Sequence, residues 1–331
     1  MNPVKRIHKP FIVDVRCRMA TGKDADYFRK KLGENAPRSV IEGSEEAFFC
    51  ELDAAGVRTA IAPSGSNLGM TLGHRNLPPR TTSNDEQALL QERHPGRYVG
   101  VAAIDVSNTA HDALSELKRC ADVLSLRAAT IEPGREPLNA PNSADPRLYE
   151  FYELAARLGM PVILQTSGLL GGKNIDYANP KWVDQVAEDF PDLTIICGHG
   201  CYPFVREAIA VAVRRKNVFL SPDLYLFWPG TEDWVKAVNQ GWLVENFIFG
   251  SGYPLVGNLT SFVQQFLALG WHEDCLPYIL YKNALRALKL ETKPDFASVY
   301  QSNPSFVKSG LVSSGARKVA ALMRRAGLSP R

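Results

Sequence analysis

The sequence predicts a single-domain (β/α)8 barrel carrying a basic helical extension at its C-terminus. Eight apolar, β-branched runs recur at near-regular intervals along the 331 residues, and each is followed by a helical pattern. Eight such alternations suit a closed parallel barrel better than an open doubly wound sheet. The turn after the first run lacks Gly-x-Gly-x-x-Gly, and the glycine-rich stretch 65–73 lacks a Gly-Lys-Ser/Thr ending. Those two absences argue against a dinucleotide-binding sheet and a phosphate-binding P-loop.

Taken in order, strands are expected at 11–16, 57–63, 98–105, 127–132, 161–166, 193–198, 217–222 and 246–251. Helices are expected at 44–55, 84–94, 109–122, 146–159, 180–189, 203–215, 231–240, 259–269 and 275–289. Ser44 followed by Glu45 and Glu46 signals one start, and Asp145-Pro146 puts proline at the first position of another. The barrel is expected to span 1–291 and the extension 292–331. From Thr292 onward seven basic residues face one acid, Asp295, so the tail is +6 against −3 for the body. Within it Ser313 or Ser314 caps a short helix with Val319, Leu322 and Met323 on one face and Gly327 at its end. Docking on the body or on a second subunit is the expected use of that helix.

Apolar residues make up 45% and charged residues 22%, the balance of an ordinary globular chain. No apolar run is long enough to span a bilayer, so no membrane partner is expected. The N-terminus lacks the apolar segment of a secretory signal. Six scattered cysteines do not form a disulfide framework. A cytoplasmic location with free thiols is therefore expected. A net charge of +3 is too mild for a nucleic-acid partner.

In a barrel, chemistry collects at the C-terminal ends of the strands. That rule selects Arg16, Arg18, Ser64, Ser66, Glu132, Gln165, Ser167, His199, Cys201, Ser221, Asp223, Gly252 and Tyr253, of which Arg16, Arg18, Ser64, Glu132, Gln165, His199, Asp223 and Tyr253 are the site candidates. In the first strand Asp14, Arg16 and Arg18 share one face and Cys17 points the other way. Cys197 and Cys201 flank His199; as small buried hydrophobes they are expected to pack rather than react.

Six stretches resemble the amidohydrolase-related branch of the amidohydrolase superfamily, in the same order along residues 9–291. They are His94-Pro-Gly-Arg-Tyr-Val-Gly100, Pro146-Arg-Leu-Tyr149 with Leu158-Gly-Met-Pro-Val162, Phe190-Pro-Asp-Leu193, Cys197-Gly-His-Gly200, Phe249-Gly-Ser-Gly-Tyr-Pro254 and Tyr281-Lys-Asn-Ala284. The first strand also resembles the family's Asp-x-His-x-His. The resemblance places the two first-strand metal histidines on Arg16 and Arg18, the fifth-strand histidine on Gln165 and the eighth-strand aspartate on Gly252. Only the sixth-strand histidine is kept, as His199. Arginine keeps its proton and offers no lone pair, so no metal and no other cofactor is expected.

The resemblance implies a hydrolase or (de)carboxylyase acting on a small carboxylate-bearing molecule, here without a metal. Arg16 and Arg18 would clamp the anion, with Gln165, Ser64 and Tyr253 beside them. His199 would move a proton, and Asp223 and Glu132 are the further catalytic candidates. The alternative use of the arginines is an internal ion pair with Glu132, Asp14 or Asp223 that plugs the old cavity. A reading from another class is an inactive subunit that pairs with and stabilises a metal-bearing homologue. The expected assembly is accordingly a homodimer or a hetero-oligomer with a related amidohydrolase.

Overall fold

The computed structural model describes residues 11–20, 22–294 and 296. Its strands are β1 (Ile12–Asp14), β2 (Val57–Ala62), β3 (Met70–Leu72), β4 (Arg75–Leu77), β5 (Tyr98–Ala103), β6 (Ala128–Ile131), β7 (Val162–Gln165), β8 (Ile195–Gly198) and β9 (Val218–Ser221). Seven of them form one parallel sheet in the order β1-β2-β5-β6-β7-β8-β9. Their side chains are buried on both faces almost throughout, as continuous apolar runs covered by helices require. The expected barrel is therefore present.

The eighth stave differs from the expected regular strand at 246–251. It is a bonded segment with only isolated bridges to its neighbours. Leu220 N–H donates to Asn246 (2.8 Å), and Ile248 N–H returns to Leu220 (2.9 Å). On the other side Val15 N–H reaches Phe249 (3.2 Å) and Gly252 N–H reaches Arg16 (2.9 Å), which closes the ring. The ladder is diverted because Phe249 N–H bonds to Ile279, and the buried Asn283 amide donates to the Val244 and Phe247 carbonyls. Asn283 opens the helix Asn283–Ala287, behind a π-turn at Tyr278–Lys282, where one helix over 275–289 was expected.

The other expected helices are present, that at Pro180–Asp189 with the expected bounds and the rest with shortened ends. Ser44, Ser83, Asp112 and Asn258 each accept an N–H three residues on, satisfying one orphan donor of the first turn. Two helices, Gly22–Leu32 and Arg38–Glu42, and the hairpin β3–β4 were not expected from periodicity. The helices bury a small apolar cluster of their own, Ala20, Ala25, Phe28, Ala36 and Val40, apart from the main core. Among the described residues no helix is long and apolar enough to cross a membrane. The expected basic helix after residue 296 lies outside the described residues.

Candidate active site

β1, β7 and β8 deliver Arg16, Gln165 and His199 to one point at the barrel mouth. Arg16 lies across β8 because residue 198 is glycine; a Cβ there would sit 2.9 Å from Arg16 Nη1. Arg16 Nη1 donates to Gln165 Oε1 (2.5 Å), its Nη2 lies 3.3 Å from His199 Nε2, and its Nε lies 2.8 Å from Asp223 Oδ2. The last contact is a charge pairing rather than an aligned hydrogen bond, since Nε–H has no acceptor in line. Gln165 is fixed in turn. Thr130 donates its hydroxyl to the Ile163 carbonyl (3.0 Å) and so accepts from Gln165 Nε2 (3.0 Å), which leaves Oε1 for Arg16.

The His199 tautomer follows from its neighbours. Asp223, an acceptor, takes the backbone N–H of His199 (2.9 Å) and faces its Nδ1 (3.1 Å), so Nδ1 carries the proton. Arg16, a donor only, faces Nε2, so Nε2 carries the lone pair. Burial and the Arg16 charge hold the His199 pKa below its ordinary value, against the opposing pull of Asp223. Burial would raise the Asp223 pKa, yet His199 and Arg16 outweigh it and keep the carboxyl below its ordinary range. His199, Cys201 and Asp223 all adopt positive φ (69°, 58° and 47°), a conformation costly for non-glycine residues. The three strained positions are His199 itself and two neighbours that its surroundings hold in place.

These groups border a cavity of about 120 Å³ lined by Arg16, Arg18, Arg80, Glu132, Arg135 and His199 among others. For scale, a cavity of about 150 Å³ takes one benzene molecule. Arg18 donates to the Pro63 carbonyl (3.3 Å), and its guanidinium lies 4.9 Å from the centre of the Phe28 ring. Across from His199, Glu132 Oε2 accepts from Asn67 and from Arg135 Nε (3.3 Å), with Arg80 3.8 Å from Oε1. Burial alone would raise the Glu132 pKa; Arg135, Arg80 and Arg16 together lower it, so Glu132 is ionised.

The amidohydrolase family model matches residues 59–290. The chain belongs to the amidohydrolase family. An uncharacterized TIM-barrel protein of Bordetella bronchiseptica is 32% identical, over 84% of this chain and 98% of that one, with a TM-score of 0.71. Two solved decarboxylases share the fold: 2,6-dihydroxybenzoate decarboxylase from Rhizobium (17% identity, 85% and 99% covered, TM-score 0.63), and dihydroxybenzoic acid decarboxylase from a Polaromonas species, with bound manganese and 2-nitroresorcinol (16%, 86% and 99%, TM-score 0.64). No curated protein sequence matches the chain.

The metal that the family resemblance implies does not fit this amidohydrolase chain. A guanidinium occupies the point where the remaining donors converge, and it would repel a dication. Gln165 Oε1 and His199 Nε2 both face that guanidinium. Position 252 supplies no carboxylate, being a glycine with φ +79°. Among the described residues no group of three or more His, Cys, Asp or Glu could hold a metal ion.

Of the residues chosen from sequence, Arg16, Arg18, Glu132, Gln165 and His199 line the cavity, and Asp223 stands behind His199 and Arg16. Ser64 is buried outside the lining. Tyr253 points away from the mouth, its hydroxyl bonded to Ser39 and to Glu51 Oε2 (2.5 Å). Tyr253→Phe is therefore expected to cost about 1 kcal/mol in urea unfolding and to leave ligand affinity within about twofold; a tenfold loss of affinity would return Tyr253 to the site. Cys197 and Cys201 are buried, and the hydrogen bond to Cys201, with burial, holds Cys197 as a thiol. Sequence reasoning missed Arg80, Arg135 and Asn67. The signal available for Arg80 and Asn67 was the length of the 63–83 loop at the C-terminal end of the barrel strands; Arg135 lies in the separate loop after β6.

Proposed function

We propose that this amidohydrolase-family protein is a metal-independent hydrolase or lyase acting on a small carboxylate, with proton removal by neutral His199 as its first step. The observation that carries the reading is the Arg16 guanidinium, braced by Asp223, Gln165 and His199 in place of an ion and beside a cationic cavity. Arg16 is answered by Asp223 and acts as a positioning residue, so Arg18 is assigned to the substrate carboxylate. Asp223 holds the imidazole in the tautomer whose Nε2 accepts a proton, from an attacking water in hydrolysis. Protonated Nε2 would point its N–H at the Arg16 guanidinium, a donor facing a donor. That geometry keeps the resting imidazole neutral, which suits a first step that removes a proton rather than one that protonates carbon, and the Nε2 lone pair becomes available to an attacking water once Arg16 Nη2 gives way. Glu132, ionised and tied to arginines, is assigned to binding rather than proton transfer.

The test is a turnover screen of the full chain on small lactone-, ester- and amide-bearing carboxylates and on hydroxybenzoates, with and without chelator. Turnover unchanged by chelator and reduced about 10²–10⁴-fold in His199→Gln supports the reading. Loss of activity on chelation, restored by a divalent ion, overturns metal independence. The bracing of Arg16 by Asp223 also favours the inactive-subunit reading, because a plugged centre needs no substrate. No turnover, together with co-purification of a metal-bearing homologue, would establish that alternative.

A further inference from the structure

We propose that Arg80 and Arg135, held by Glu132 and Asn67, form a second oxyanion subsite, so that the preferred substrate is a dianion. The inference rests on the preceding reading that the cavity takes a small carboxylate. Its basis is separate: Arg80 and Arg135 come from two loops, not from the strand-end frame.

Arg80 follows the hairpin β3–β4 and is pinned to Asn67 by reciprocal backbone hydrogen bonds of 2.9 Å. Arg135 follows the turn after β6, three residues beyond Glu132. The Asn67 side chain donates to Glu132, so hairpin and turn meet at one buried carboxylate. Glu132 takes Arg135 through Nε, and its Oε1 is 3.8 Å from Arg80 Nη1. Arg135 Nη1 and Arg80 Nη2 are buried and have no hydrogen-bond acceptor in the protein. Both side chains line the cavity that His199 faces. Buried guanidinium N–H groups without acceptors are expensive unless an anion meets them.

Charge balance adds to this: Arg80 and Arg135 share one carboxylate, Glu132, while Asp223 answers Arg16 from behind. One positive charge at this end of the cavity is left for a second anionic group. The fork geometry of two arginines suits an oxyanion, carboxylate or phosphate.

The experiment is calorimetric titration of the full-length chain at low salt with butyrate and with succinate, which differ by one carboxylate. Wild type is expected to bind succinate at least about tenfold tighter. Arg80→Gln and Arg135→Gln are each expected to remove most of that preference while leaving butyrate within about twofold. Should either glutamine variant fail to fold, Arg80→Lys and Arg135→Lys keep the charge that Glu132 needs, and a reduced preference is still expected from loss of the fork. Equal affinities in wild type, or an undiminished preference in the variants, overturn the subsite while leaving the small-carboxylate reading intact. Binding of neither acid overturns both. Inorganic phosphate displacing succinate with the same variant dependence would support the oxyanion clamp and extend its chemistry to phosphate esters.

Discussion

Asp223→Ala is expected to destabilise the protein by about 3–5 kcal/mol, the cost of leaving a buried guanidinium without its anion. Arg16 and Asp223 are both buried, the carboxylate completely. Asp223 also takes the backbone N–H groups of His199 (2.9 Å) and Leu224 (2.6 Å), so its loss frees one buried and one part-buried donor as well. Activity is expected to fall about 10⁴-fold, because the imidazole loses the group that fixes its tautomer. A double variant, Arg16→Met with Asp223→Leu, separates the two effects. Replacing a buried ion pair by apolar side chains is often neutral, so most of the stability should return while activity stays lost. Urea unfolding checks the first claim and turnover the second. A single Asp223→Ala variant as stable as wild type would mean that Arg16 is not neutralised where the structure puts it.

The barrel was legible because parallel strands write themselves as β-branched runs, and β2, β5, β6, β7, β8 and β9 all fall inside the expected spans. The eighth stave was legible as a segment and not as a conformation, since Asn283 and Ile279 capture its backbone from distant sequence. At the barrel mouth, strand-end positions were readable from period two, and Arg16, Gln165 and His199 do meet there. Whether Arg16 faced a substrate or an internal acid was not readable. That choice depends on the positive φ of Asp223, which turns its carboxylate back under His199. The direction of Tyr253 was unreadable for a similar reason: it sits at a strand end, yet its ring packs at 5.9 Å from Phe48, toward the helices. Arg80 and Arg135 left no periodic trace, because loops are placed by what they touch.

Asp14→Asn is expected to stabilise the protein at pH 8 and to lose that advantage at pH 4. Asp14 is fully buried in β1, and burial, outweighing its hydrogen bonds, raises its carboxyl to about 6 from 3.8. A raised carboxyl binds its proton more tightly in the folded state. Its contribution is therefore fully present below about pH 4 and is lost as pH rises through about 6. A shift of this size corresponds to about 3 kcal/mol of stability forgone at neutral pH. Oδ1 accepts the backbone N–H groups of Arg16 (3.0 Å) and Ser251 (2.9 Å), which ties the first stave to the eighth, whereas Oδ2 has no partner. An asparagine carbonyl can accept the same two bonds without carrying charge. The expected gain is about 1–2 kcal/mol at pH 8, less than the full penalty because the new amide N–H groups also need acceptors. Urea unfolding at the two pH values measures it. A variant less stable than wild type at pH 8 would show that the ionised carboxylate is what holds the barrel closed. If stability rises and turnover persists, Asp14 serves the site as an anchor for the Arg16 backbone, and its charge is incidental to that task.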